Sequence, residues 1–237
     1  MPETSTPAEL LARFAANPWF AALPLAERKS IVAASERVHL AAGEMLFRQG
    51  DVVPAGQGAF YGVVSGGIKA SSLREDGKEA ILAVLEVGNW FGEISLIDGK
   101  PRTHDATSVG DTELLALPRP AFDRMMLRPA FALAVCRLLA GRVRSLYGMV
   151  VDATLRSTRA RVARRLLLLA RGDATQARDA RPVVPVSQEA LAMMLGVSRQ
   201  TLSKELQGLA KEGAVELGYG RIAIASVERL ERFGVDA

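Results

Sequence analysis

Glycines stand at 66, 77, 88, 99 and 110, a fixed spacing of eleven, with short apolar runs at 60–64, 81–85 and 113–117. Each such glycine would weaken a helix, whereas strands of about five or six residues fit comfortably between turns at this interval. The segment from about 43 to 117 therefore reads as an all-β sandwich or barrel. Glu75, Asp76 and Gly77, lying between the apolar-rich runs 68–73 and 79–85, form a hairpin signal. The residues between the glycines do not repeat, so the rhythm marks turns and not a solenoid.

Within this segment residues 89–107, NWFGEISLIDGKPRTHDAT, gather the chemistry for holding a phosphate. Gly92 lets backbone approach a ligand, and Glu93 can accept hydrogen bonds from sugar hydroxyls. Arg102 can grip a phosphate through two parallel N–H bonds, and Thr103 adds a hydroxyl donor. An Arg and a Glu this far apart are ordinarily a solvated surface pair, so the assignment depends on the surrounding pattern.

The flanks are helical. Short helices are expected at 7–14 and 25–36, interrupted by Pro18 and Pro24, then at 121–127, followed by a long helix over 129–152. On that helix Val135, Leu138, Leu139, Val143, Leu146, Met149, Val150 and Ala153 recur at helical spacing. This stripe suits either packing against the chain's own β domain or a two-stranded coiled coil between subunits. A further amphipathic helix is expected at 156–170, and a loop or hairpin at 171–185. Ser187 can cap a helix running to Leu195, Gly196 supplies a turn, and Ser198 can cap a second helix to Lys211. Ala190, Leu191, Leu195, Val197, Leu202, Leu206 and Leu209 supply the buried faces of a helix-turn-helix, and 214–225, around Gly218-Tyr219-Gly220, form its wing.

Composition narrows the functions. The chain of 237 residues has one cysteine, Cys136, and two histidines, His39 and His104, too few for a Cys/His zinc site or a four-cysteine cluster. Cys136 is expected as a small core residue and His104 as a solvated loop histidine. No phosphate-binding Walker loop, metal-ligand spacing or nucleophile–base set is present, so an enzyme is not expected. No apolar run is long enough to span a bilayer and the start, MPETSTPAEL, lacks signal-peptide character, which points to the cytoplasm. Residues 1–154 carry 16 Lys and Arg against 17 Asp and Glu, whereas residues 155–237 carry 14 against 9. The basic surplus lies with the helix-turn-helix, as contact with a nucleic-acid backbone requires.

GEISL followed by PRT resembles the phosphate-binding cassette of the Crp/Fnr transcription regulators and of cyclic-nucleotide-binding domains generally, which implies that Ile94 and Ser95 join Gly92, Glu93, Arg102 and Thr103 in the effector site. With the long helix and GVSRQTLSK in the same order, the resemblance extends from about residue 19 to 225. It implies an α+β architecture: an effector-binding β-roll (jelly roll) with N-terminal helices at 1–128, a dimerisation helix at 129–154 and a winged helix-turn-helix at 155–237. The absence of an N-terminal cysteine cluster sets the chain apart from the oxygen-sensing branch. The implied partners are double-stranded DNA, a second copy of the chain, paired through Val135, Leu138, Leu139, Val143, Leu146 and Val150, and RNA polymerase, with 171–181 as a contact segment by position.

The second helix of the motif would enter the major groove with Arg199, Gln200, Ser203 and Lys204 facing base edges, while Ser187 and Thr201 hold phosphate. Arg199 suits guanine; Gln200, where many relatives carry Glu, prefers adenine, and Lys204 replaces a frequent Arg. The implied effector is a cyclic nucleotide: cyclic AMP, cyclic GMP or a cyclic dinucleotide. Cyclic-AMP-binding relatives place a Thr-Ser pair where this chain has Leu146 and Tyr147, so Tyr147 becomes the candidate base contact and an altered effector, or none, stays open. The rival reading is a cyclic-nucleotide-binding module of a kinase or channel assembly, which would need no DNA-binding motif.

Overall fold

The computed structural model describes residues 5–172 and 182–235, and the chain divides into two compact units, 1–73 with 84–142 and 74–83 with 143–237.

The first unit begins with three short helices whose ends follow from local chemistry. In α1 (Pro7–Phe14) Thr6 and Glu9 form a reciprocal capping box, and Asn17 caps α2 (Pro18–Ala21). Helix α3 (Leu25–Ala34) stops at Ser35, whose backbone is already extended, so the helix expected to reach Glu36 ends two residues earlier. The reason is tertiary: β1 (Glu36–Leu40) pairs antiparallel with β8 (Thr112–Pro118), and Arg37 forms an ion pair with Glu113.

Two antiparallel sheets follow. One has the order β1, β8, β3 (Ala59–Ser65), β6 (Trp90–Phe91); the other runs β2 (Met45–Phe47), β7 (Asp105–Ser108), β4 (Gly67–Leu73), β5 (Glu79–Glu86). All five glycines of the eleven-residue rhythm have positive φ, between 68° and 90°, which is why glycine stands at those turns. Leu40, Phe47, Val63, Ile68, Leu85, Phe91, Ala106 and Leu114 form a core shared by both sheets. A second, aromatic core joins Phe14, Trp19, Phe20, Phe60, Trp90, Phe122 and Phe131, and so ties the N-terminal helices to β3, to α5 (Arg119–Met126) and to the start of α6 (Pro129–Leu155). Gly62 faces Trp90 so closely that a Cβ there would lie 2.6 Å from the indole.

Along α6 the apolar stripe is divided. Val135 is fully buried in the first unit's own core, with Leu138 and Leu139 packed against it, so the expected subunit-interface role for Val135 is corrected: its side chain is already consumed within the protomer. Cys136, one step round the helix, is exposed and is not the core residue expected. The later positions Val143, Leu146, Tyr147, Val150, Val151 and Leu155 are all exposed.

The second unit contains α7 (Thr158–Ala170), β9 (Val183–Val184), α8 (Gln188–Leu195), α9 (Arg199–Lys211), β10 (Val215–Gly218), β11 (Arg221–Ile224) and α10 (Val227–Phe233). Strands β10, β11 and β9 form a small antiparallel sheet, the expected wing enlarged by one strand. Val162, Leu166, Leu191, Leu202, Leu206, Leu209 and Leu230 fill the core, the last from α10, a helix beyond the elements expected from the sequence. Of the 171–181 segment, 173–181 lie outside the described residues.

Candidate functional site

Gly92 begins the first candidate site. Its φ of 93° opens the six-residue helix α4 (Glu93–Asp98), of which Ile94 and Ser95 form the first turn. A Cβ at Gly92 would lie 3.0 Å from the Ala59 carbonyl oxygen, 3.1 Å from the Tyr61 ring and 3.4 Å from Arg102 Nη1. Any side chain here would meet both a strained backbone and a filled neighbourhood.

Glu93 is fully buried. One carboxylate oxygen, Oε1, pairs with Arg142 of α6, whose guanidinium also donates to the Trp90 carbonyl; the other, Oε2, is buried with no hydrogen-bond partner among the described residues. A buried carboxylate oxygen without a donor is costly, and a hydroxyl-bearing ligand would satisfy it.

Arg102 is only 6% exposed, and no carboxylate lies within ion-pair distance of it among the described residues. Its backbone is pinned to the loop after β2: Gly50 donates to its carbonyl at 2.8 Å and its own N–H donates to Asp51 O at 2.9 Å. Nη1 donates to Gly92 O at 3.1 Å, and the guanidinium lies 4.2 Å from the Phe47 ring centroid. Burial lowers the Arg102 pKa, with the Tyr61, Asp51 and Glu93 charges opposing it; burial likewise raises the Tyr61 pKa. A desolvated guanidinium whose backbone is pinned and which has no carboxylate at ion-pair distance among the described residues is suited to an anion.

Thr103 is exposed, with Oγ1 2.8 Å from His104 Nδ1. His104 is half-buried against the Phe47 ring, unlike the solvated histidine expected. Burial lowers its pKa, with Arg142 adding to that effect. Gly92, Glu93, Arg102 and Thr103 thus belong to one connection in the first unit, whereas Tyr147 stands on α6 in the second unit, 70% exposed. Phe47, Arg142 and the engagement of His104 were not expected from the sequence. Arg142 carried a signal: it lies four residues from both Leu138 and Leu146, a charge at a position of the apolar stripe.

The second candidate site is the start of α9. Ser198 accepts from Thr201 N at 3.1 Å, while Gly196, with φ of 63°, ends α8. Arg199, Gln200, Thr201 and Lys204 are exposed there and Ser203 is half-buried, while Leu202, Leu206 and Leu209 turn inward. Ser187, exposed, caps α8 by accepting from Ala190 N at 3.0 Å. Arg159 of α7 secures α9 from behind through Glu205 and Glu212. The face carrying Arg199 and Lys204 has no ion pair among the described residues and stays available to a polyanion.

Two family descriptions match the chain: a cyclic nucleotide-binding domain over residues 37–128 and a Crp-like helix-turn-helix domain over 160–233. The chain is 37% identical over 190 residues to the cyclic AMP receptor protein of Thermus thermophilus, covering 80% of this chain and 83% of that one. It is 32% identical over 174 residues to a CRP-like cAMP-activated global transcriptional regulator of Mycobacterium tuberculosis, covering 73% and 78%. A solved CRP/FNR-family transcriptional regulator from Thermus thermophilus has the same fold, with a TM-score of 0.67 at 24% identity over 84% of this chain and 98% of that one.

Proposed function

The chain belongs to the CRP/FNR family of DNA-binding transcription regulators and carries a cyclic nucleotide-binding domain; from that premise we propose that a cyclic nucleotide, cyclic AMP first among the candidates, gates its binding to DNA. The observation that supports this reading best is that, among the described residues, Glu93 Oε2 has no hydrogen-bond partner and the buried Arg102 has no carboxylate at ion-pair distance. One asks for a hydroxyl and the other for an anion, and a cyclic nucleotide offers both on one ring system. In this reading Arg102 binds the phosphate, Thr103 donates to it, Glu93 Oε2 accepts from the ribose hydroxyl, and Gly92, Ile94 and Ser95 provide the turn that holds them together. The names of the two relatives favour cyclic AMP. Tyr147 is the proposed base contact, and with Leu146 beside it in place of a Thr-Ser pair, purine selectivity is expected to differ from theirs.

Two copies are proposed to pair through the exposed part of α6, at Val143, Leu146 and Val150, with Leu138 and Leu139 at its edge. Arg199, Gln200, Ser203 and Lys204 read base edges and Ser187 and Thr201 contact phosphates in this proposal. Ligand gating requires that the nucleotide bind the DNA-competent arrangement more tightly than the other. RNA polymerase contact and a cytoplasmic location accompany this role; no helix among the described residues is long and apolar enough to cross a membrane. The test is calorimetric titration of the nucleotide-stripped protein with cyclic AMP, cyclic GMP and a cyclic dinucleotide, followed by DNA binding with and without whichever binds. Saturable binding that tightens the DNA complex supports the proposal, and silence with all three nucleotides overturns it.

A further inference from the structure

His104 is bound into the same site by a contact that admits two proton arrangements. Its Nδ1 is 2.8 Å from Thr103 Oγ1, the ring's one hydrogen bond among the described residues. Phe47 serves both neighbours, with the Arg102 guanidinium 4.2 Å from its centroid and the His104 ring centroid at 6.0 Å. The charged groups around the imidazole are Arg142 from α6, Glu93 from α4, Arg102 from the connection and Asp105 beside it on β7, where Asp105 Oδ1 already accepts from Gln49 N at 2.7 Å.

When the neutral ring carries its proton on Nε2, Nδ1 accepts the Thr103 hydroxyl proton, and the threonine then offers only lone pairs to a phosphate. When Nδ1 is protonated it donates to Oγ1, which frees the hydroxyl proton to point at the anion. The doubly protonated ring achieves this and also adds positive charge. Without an anion, burial and the two guanidiniums disfavour that form; an incoming phosphate reverses the balance. We propose that effector binding at this site draws a proton from solvent onto His104, so that Thr103 becomes a phosphate donor and affinity tightens as pH falls.

This rests on the reading of the cassette as a cyclic-nucleotide site. His104 is a positioning residue here: it acts on the ligand through Thr103. The ring is held below the ordinary imidazole range in the free protein, by burial first and then by Arg142, and is raised by the bound phosphate. Affinity therefore increases as pH falls through the bound-state pKa and levels off below the free-state pKa, by up to about tenfold per pH unit inside that window.

The test uses the full chain and cyclic AMP, titrated calorimetrically around pH 6.5, near the ordinary imidazole value, in buffers of different ionisation enthalpy. The wild type is expected to take up a proton, at most about one per protomer, and H104Q to take up almost none. Proton–nitrogen imidazole spectra of the wild type, where His39 is the only other histidine and H39Q assigns it, should show the His104 ring gaining a proton on saturation even if H104Q folds poorly. Binding by the wild type without buffer dependence, or proton uptake that persists in H104Q, overturns the role of His104 and leaves the cyclic-nucleotide reading standing. Absence of binding by the wild type removes both.

Discussion

The two candidate sites treat positive charge in opposite ways. Arg102 is buried, pinned at its backbone, laid on Phe47 and without an ion-paired carboxylate among the described residues, whereas Arg199 and Lys204 stand in solvent on the first turns of α9. A buried guanidinium has already lost its water, so a small anion that reaches it gains strong, directed bonds. An exposed row of cations gains through counterion release over many phosphates, and its specificity rests on a few base contacts. Hence one site should fail abruptly when a single residue is lost, and the other should weaken by degrees and in a salt-dependent manner.

Arg102→Ala is the strongest challenge to this contrast. It should weaken cyclic AMP binding by about 2 kcal/mol or more, measured calorimetrically, while leaving effector-free binding to nonspecific DNA unchanged. An unaltered nucleotide affinity would break the comparison outright. Arg199→Ala should cost about 1–2 kcal/mol of discrimination at one guanine per half-site, read by fluorescence anisotropy on an operator and its single-base variants. Equal weakening on every sequence would make Arg199 a phosphate contact. Ser198→Ala removes the α9 cap and should lower stability by about 1 kcal/mol, seen as an earlier melting transition with nucleotide affinity unchanged.

The smallest expected effect concerns the nucleotide-free protein. Because burial and then Arg142 hold the His104 pKa below its unfolded value, the folded state favours the neutral ring. The associated stability is present above the unfolded imidazole pKa and is lost as pH falls from about 7.5 towards 5.5. Melting curves across that range should fall more for the wild type than for H104Q; parallel curves would place the ring in ordinary solvent.

Features decided by near neighbours along the chain are legible in the amino-acid sequence itself. The caps at Ser187 and Ser198, the left-handed Gly196 and the five turn glycines are each fixed by interactions within a few residues. The cassette is legible for the same reason, since Gly92, Glu93, Arg102 and Thr103 share one connection. What escapes depends on distant partners. Glu93 meets Arg142 across 49 positions, and Phe47 lies under Arg102 from another strand. Helix α3 yields to β1 because β8 is available to pair with Glu36 and its successors. A helical stripe also does not reveal which part of it is covered, so Val135 and Cys136, adjacent in sequence, each took the surroundings expected of the other.

The exposed apolar residues on the later part of α6, Leu146 at 58%, Val150 at 62% and Leu155 at 75%, carry a consequence for dosage under the proposed pairing. Covering them would require a second copy, so the amount of paired protein would rise with the square of the unpaired concentration. Expression level would then act as an input alongside the nucleotide: a cell making few copies would respond weakly at any nucleotide concentration, and one making many would respond sharply.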